Sequence, residues 1–148
     1  MQTKEEKYLA LIPRVRSLMS GEEDEIARMA NLASLLHYEF GFWWTGFYRV
    51  AGDDMLVLGP FQGPLACTRI RLGKGVCGTA WAEGRTIVVP DVSKFPGHIA
   101  SSSESRSEIV VPFRSHGRIV GVLDIDSREP DTFDGTDAEY LEQIAACL

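Results

Sequence analysis

Asp124 and Asp126 stand two positions apart in the run Ile119-Val120-Gly121-Val122-Leu123-Asp124-Ile125-Asp126. The run reads as a strand, and alternate residues of a strand share a face. Two carboxylates on one face repel unless they are solvated, share a proton or hold a cation. In the simplest reading the strand has reached its end and both groups point into water. Glu108 weakens that reading. It begins the preceding strand, and the short turn Ser115-His116-Gly117-Arg118 pairs the two strands, so Glu108 and Asp126 fall near one end of the sheet. An acidic cluster of this kind suits an ammonium group, or keeps one carboxyl protonated as a general acid.

The three cysteines are the next reactive groups. An odd count argues against a disulfide framework and leaves free thiols or a transient redox pair. Cys67 lies in a turn two residues before Arg69, and Cys77 follows Gly73-Lys74-Gly75 at the start of a short helix. A nearby cation and a helix N-terminus both lower a thiol pKa. Cys147 reads as a small buried hydrophobe. The glycine-rich run also offers backbone N–H groups to a ligand carboxylate. No metal site is expected: Cys67 and Cys77 are far apart in sequence, and no histidine pair has ligand spacing. Around Trp43-Trp44-Thr45-Gly46-Phe47-Tyr48, alternation sets Trp44 and Tyr48 on one face and Trp43 and Phe47 on the other. Trp44 and Tyr48 then form an apolar wall suited to a methyl or thioether. His98 precedes the serines Ser101–Ser103, where it either tunes a nucleophile or is solvated.

The elements that must position these groups follow from periodicity and turn chemistry. A helix is expected from Lys4 to Met19, capped by Thr3 and kinked or split at Pro13. A second runs from Glu23 to Phe40 and stops at Gly41. Trp43–Val50 and Met55–Phe61 form a hairpin about Gly52-Asp53-Asp54. Thr68–Leu72 is a short strand, Val76–Glu83 a short helix and Thr86–Val89 a strand. Asp91–Ser107 is a long loop of the kind that is usually functional. Glu108–Arg114 and Ile119–Asp126 form the second hairpin, and Asp134 or Thr136 caps a helix beginning at Asp137. Antiparallel hairpins with helices before and after predict an α+β class, a mainly antiparallel central sheet flanked by helices. The 148 residues fit one domain spanning 1–148.

Composition excludes several classes. A net charge of −6 argues against nucleic acid as the main partner. The longest apolar runs fall short of a membrane span. Met1–Leu11 is charged and lacks a signal-peptide core, so a cytoplasmic location is the expectation.

Taken together the segments resemble one family, the free methionine-(R)-sulfoxide reductases, which are single GAF domains. The resemblance is carried by Trp44-Thr45-Gly46-Phe47-Tyr48, Leu58-Gly59-Pro60-Phe61-Gln62-Gly63, Ala66-Cys67-Thr68-Arg69-Ile70 and Gly73-Lys74-Gly75-Val76-Cys77-Gly78. It continues through His98-Ile99-Ala100, Ser105-Arg106-Ser107-Glu108-Ile109-Val110-Val111-Pro112 and Gly121-Val122-Leu123-Asp124-Ile125-Asp126-Ser127. It implies reduction of free methionine-(R)-sulfoxide through a cysteine sulfenic acid and a disulfide, with no bound cofactor and with thioredoxin as external reductant. It implies that Glu108, Asp124 and Asp126 hold the substrate ammonium and the sulfoxide oxygen, and that Trp44 and Tyr48 surround the methyl. It places the substrate carboxylate on the backbone near Cys67 and Cys77, makes those cysteines partners or resolvers, and suggests a homodimer.

One position departs from the family. Its attacking cysteine directly follows His-Ile-Ala, and here Ser101 stands in that place. A serine hydroxyl is almost never ionised near neutral pH and forms neither sulfenic acid nor disulfide. Chemistry is therefore expected to be lost or greatly weakened and binding retained. Retention of the other site residues favours an engineered replacement over a natural loss of the nucleophile. The alternative function is a non-catalytic GAF sensor of an amino acid or small metabolite.

Overall fold

The first helix, α1 (Lys4–Ser20), begins at Thr3, whose hydroxyl accepts the Glu6 amide while the Glu6 carboxylate accepts the Thr3 amide. This computed structural model describes residues 1–97 and 104–148. His98 and Ser101–Ser103 lie outside the described residues. Pro13 does not split α1, one of the two outcomes expected of it. Its ring removes one backbone hydrogen bond, but Tyr8, Leu11, Ile12, Val15 and Met19 are buried along the helix and hold it through that point. The second helix, α2 (Glu25–Phe40), starts after Asp24, whose carboxylate caps the Ala27 amide. The expected start at Glu23 gives way to that cap.

The six strands are β1 (Trp44–Ala51), β2 (Met55–Gln62), β3 (Arg69–Arg71), β4 (Ile87–Val89), β5 (Ser107–Ser115) and β6 (Arg118–Ser127). They form one sheet in the order β3-β2-β1-β6-β5-β4, each neighbouring pair antiparallel. Both expected hairpins are present, and β1 joins β6 to fuse them at the centre of the sheet. The short helix α3 (Gly75–Glu83) links β3 to β4, and α4 (Gly135–Ala145) follows β6. The segment read as a long loop contains a 3-10 turn, Val92–Lys94, capped by Asp91. The architecture is the α+β arrangement the sequence predicted.

Strand alternation divides the core in two. On one face Phe47, Ile109, Val111, Leu123 and Ile125 pack against α1, α2 and α4. On the other, Trp44, Tyr48, Val110 and Val122 pack against Val76, Cys77 and Ala80 of α3. Trp43 does not join Phe47 as alternation suggested; it packs on the α3 side, with the Arg128 guanidinium 4.5 Å from its ring centroid. It precedes the first paired residue of β1, so strand alternation does not govern it. Among the described residues no helix is long and apolar enough to cross a membrane.

A buried carboxylate ties the first helix to the last. Asp137, only 2% exposed, accepts the Tyr8 hydroxyl at 2.6 Å, the Lys4 ammonium at 2.7 Å and the Asp134 amide at 2.9 Å. Removing it strands a buried hydroxyl as well as an ammonium. Asp137→Ala is expected to cost about 3 kcal/mol in urea unfolding, against about 1 kcal/mol for Tyr8→Phe. Equal small losses in the two variants would show that α1 and α4 are joined by apolar packing alone.

Candidate functional site

The register of β5 against β6 builds the site. Glu108 pairs with Asp126 and Val110 with Asp124 across the hairpin. Leu123 and Ile125 face the helical layer, so Asp124 and Asp126 face α3. All three carboxyl residues are 5% exposed, which rules out a solvated strand end. Between the sheet and the start of α3 lies a cavity of about 20 Å³, bordered by Tyr48, Cys67, Cys77, Glu108, Asp124 and Asp126. That is room for about one water-sized group, so a larger ligand is admitted only if the lining moves apart. Gly75, Val76, Ile70 and Ser105 complete the lining.

Burial dominates the electrostatics. It pushes the Glu108 carboxyl up to about 8, with the Asp126 charge adding and a hydrogen bond to Asp124 opposing. Burial, with the Asp124 charge, also drives Asp126 well above the usual carboxylate range, against the donated hydrogen bond from the Ser105 hydroxyl at 3.2 Å. Ser105 gave no such signal in the sequence, because the segment before β5 has no periodicity from which to read a direction.

The cysteines separate. Cys67 and Cys77 are free thiols and both border the cavity, whereas Cys147 is half-buried beside the helical layer, its thiol donating to the Gln143 carbonyl. The expectation that the helix start would acidify Cys77 is overturned. Burial, followed by the charges of Asp124, Glu108 and Asp126, pushes its thiol well up. The partial charge of a helix N-terminus is small beside full desolvation next to three acids.

Tyr48 borders the cavity, while Trp44 stands behind it, the two rings stacked with centroids 6.2 Å apart. One donor atom from each of Cys77, Glu108 and Asp124 lies within 4.8 Å of the others, a set that could hold a metal ion. Sequence spacing gave no sign of it because the three residues come from α3, β5 and β6.

The family model for the GAF domain matches residues 22–147. The chain is 45% identical over 146 residues to a free methionine-R-sulfoxide reductase of Escherichia coli (strain K12), covering 98% of this chain and 88% of that protein. It is 42% identical over 153 residues to a free methionine-R-sulfoxide reductase of Saccharomyces cerevisiae, covering 98% of this chain and 85% of that protein. Among solved structures, a free methionine-R-sulfoxide reductase from Neisseria meningitidis in complex with its substrate matches with a TM-score of 0.97 and 53% identity, over 99% of this chain and 89% of that one.

The raised carboxyls fix the sign of the pH dependence of stability. Unfolded, Glu108 loses its proton near 4.5; folded, it keeps it to about 8. The folded state therefore binds more protons across that window, and stability falls as pH rises, by up to about 1.4 kcal/mol per pH unit for each proton retained. Asp126 acts in the same direction. The ligand-free protein is expected to lose melting temperature between about pH 5 and about pH 8, and Glu108→Gln to flatten that slope. A melting temperature equally pH-dependent in parent and variant would remove Glu108 as the source.

Proposed function

The chain belongs to the GAF-domain family that contains the free methionine-R-sulfoxide reductases, and from that premise we propose that its acidic cavity binds free methionine-(R)-sulfoxide. The observation that carries this reading is the gathering of Glu108, Asp124 and Asp126 in one buried cavity with no basic side chain among its described lining. Such a cavity is stabilised by an incoming cation, and the substrate's α-ammonium is a cation of the right size. Glu108, still protonated near neutral pH, is the acid that serves the sulfoxide oxygen. The backbone of Gly75 and Val76 at the start of α3 borders the same cavity and suits the substrate carboxylate. Tyr48, backed by Trp44, supplies the apolar surface for the methyl group. A site that engages both the free ammonium and the free carboxylate discriminates against a peptide-bound residue, which lacks both charges.

The reaction assigned to the site needs a thiol at position 101. A thiolate there attacks the substrate sulfur while the acid protonates the sulfoxide oxygen; that oxygen passes to the cysteine sulfur as hydroxyl as the bond to the substrate sulfur breaks, so methionine leaves and the cysteine becomes a sulfenic acid. Cys67 or Cys77 then condenses with the sulfenic acid, releasing water and forming a disulfide that thioredoxin reduces. Ser101 cannot take these steps, so this chain binds substrate and turns it over very slowly or not at all. A homodimer is part of the same proposal.

A second reading, the non-catalytic GAF sensor, is favoured by Ser101 itself. Calorimetry and a turnover assay separate the two. The parent chain is expected to bind free methionine-(R)-sulfoxide, to bind it at least about tenfold more weakly as Asp126→Asn, and to ignore the N-acetylated amide. Ser101→Cys with thioredoxin is expected to release methionine. Absence of both binding and turnover would end the reductase reading; binding without preference for a sulfoxide, with Ser101→Cys inert, would establish the sensor.

A further inference from the structure

Residues 63–68, between β2 and β3, carry Cys67 but form no regular element. Their apex is exposed, with Leu65 87% accessible. Two side chains of β1 nevertheless hold the segment. The Trp44 indole N–H donates to the Pro64 carbonyl at 2.9 Å, and the Tyr48 hydroxyl donates to the Cys67 carbonyl at 2.8 Å. Both rings are 2% exposed and stacked on one another, so the donors are fixed before the loop meets them. The loop also approaches the indole closely at Gly63. A Cβ on Gly63, whose φ is +129°, would sit 2.7 Å from Trp44 Cδ1. On the far edge of the ring, a Cβ on Gly46 would sit 2.6 Å from Trp44 Cη2. The indole is thus gripped between two glycines, and the loop has no room to shift inward. Its far end is anchored where the Leu58 amide donates to the Thr68 carbonyl at 2.9 Å.

We infer that Trp44 and Tyr48 form a two-point clamp on residues 63–68 and are the positioning residues that hold Cys67 at the cavity. Pro64 has no N–H to offer the sheet and Cys67 has left the β2 ladder, so among the described residues these two side-chain donors tie the two carbonyls to β1. The Tyr48 phenol remains a donor throughout the neutral range. Burial raises its pKa far above the ordinary value, and the charges of Asp124, Cys77, Cys67 and Asp126 raise it further. The clamp is separate from the ligand reading, since it acts on the loop whichever small molecule the cavity takes. The aromatic pair thereby acts twice, because the rings present an apolar surface while their polar atoms fix a thiol.

Alkylation of the full-length chain by iodoacetamide, followed residue by residue by peptide mass, tests the clamp. Cys147, remote from the clamp, is the reference within each molecule. Tyr48→Phe keeps the ring and removes the hydroxyl; Trp44→Phe keeps an aromatic ring and removes the N–H. Each is expected to accelerate modification of Cys67 about three- to tenfold, the range set by losing one hydrogen bond, with Cys147 unchanged. Trp44→Phe decides the matter alone if Tyr48→Phe does not fold. Cys67 reacting at the parental rate would overturn the clamp, and so would an equal acceleration at Cys147, which would mark general loosening.

Discussion

Three carboxyl groups share one buried cavity, and much of the site's chemistry depends on that fact. The β5–β6 register creates it, setting Glu108 opposite Asp126 and placing Asp124 two residues along on the same face. Burial costs each group its hydration, so the cluster responds by retaining protons rather than by spreading apart. A β-ladder cannot relieve the repulsion locally, because shifting the register by one residue would turn Leu123 and Ile125 away from the helical core. The apolar face thus enforces the unfavourable polar face, and a cationic ligand is the natural relief.

The same cluster governs the neighbouring thiol. Cys77 occupies the first turn of α3, where a solvated thiol would be acidified, yet it faces Asp124, Glu108 and Asp126. It is therefore a buried thiol held in its protonated form. Cys67 has a different environment, half-buried on an irregular segment fixed by side chains of β1. The two cysteines border one cavity from different elements and under different constraints.

The rest of the molecule serves as a rigid support. The α1, α2 and α4 layer covers the far face of the sheet, and Asp137 joins its first and last members through Tyr8 and Lys4. The strain of a buried acidic cluster is carried by a scaffold whose own stability is supplied elsewhere, as is usual for functional sites.

The sequence by itself determined the hairpins, the cap at Thr3, and the alternation that sends Asp124 and Asp126 to one face. It also determined the presence of a hydroxyl at position 101, where the proposed reaction requires a thiol. These are properties of neighbours along the chain, readable from spacing and residue type. Tertiary structure alone decided that Pro13 is tolerated, that Trp43 changes sides, that Ser105 reaches Asp126, and that Cys77 is kept protonated. Each of these depends on groups distant in sequence: a hydrophobic layer that holds a helix together, a guanidinium just past the end of β6, three acids from two strands. Local rules gave the thiol at a helix start a lowered pKa. Desolvation beside those acids outweighed the helix dipole, and burial is a property that only the assembled fold possesses.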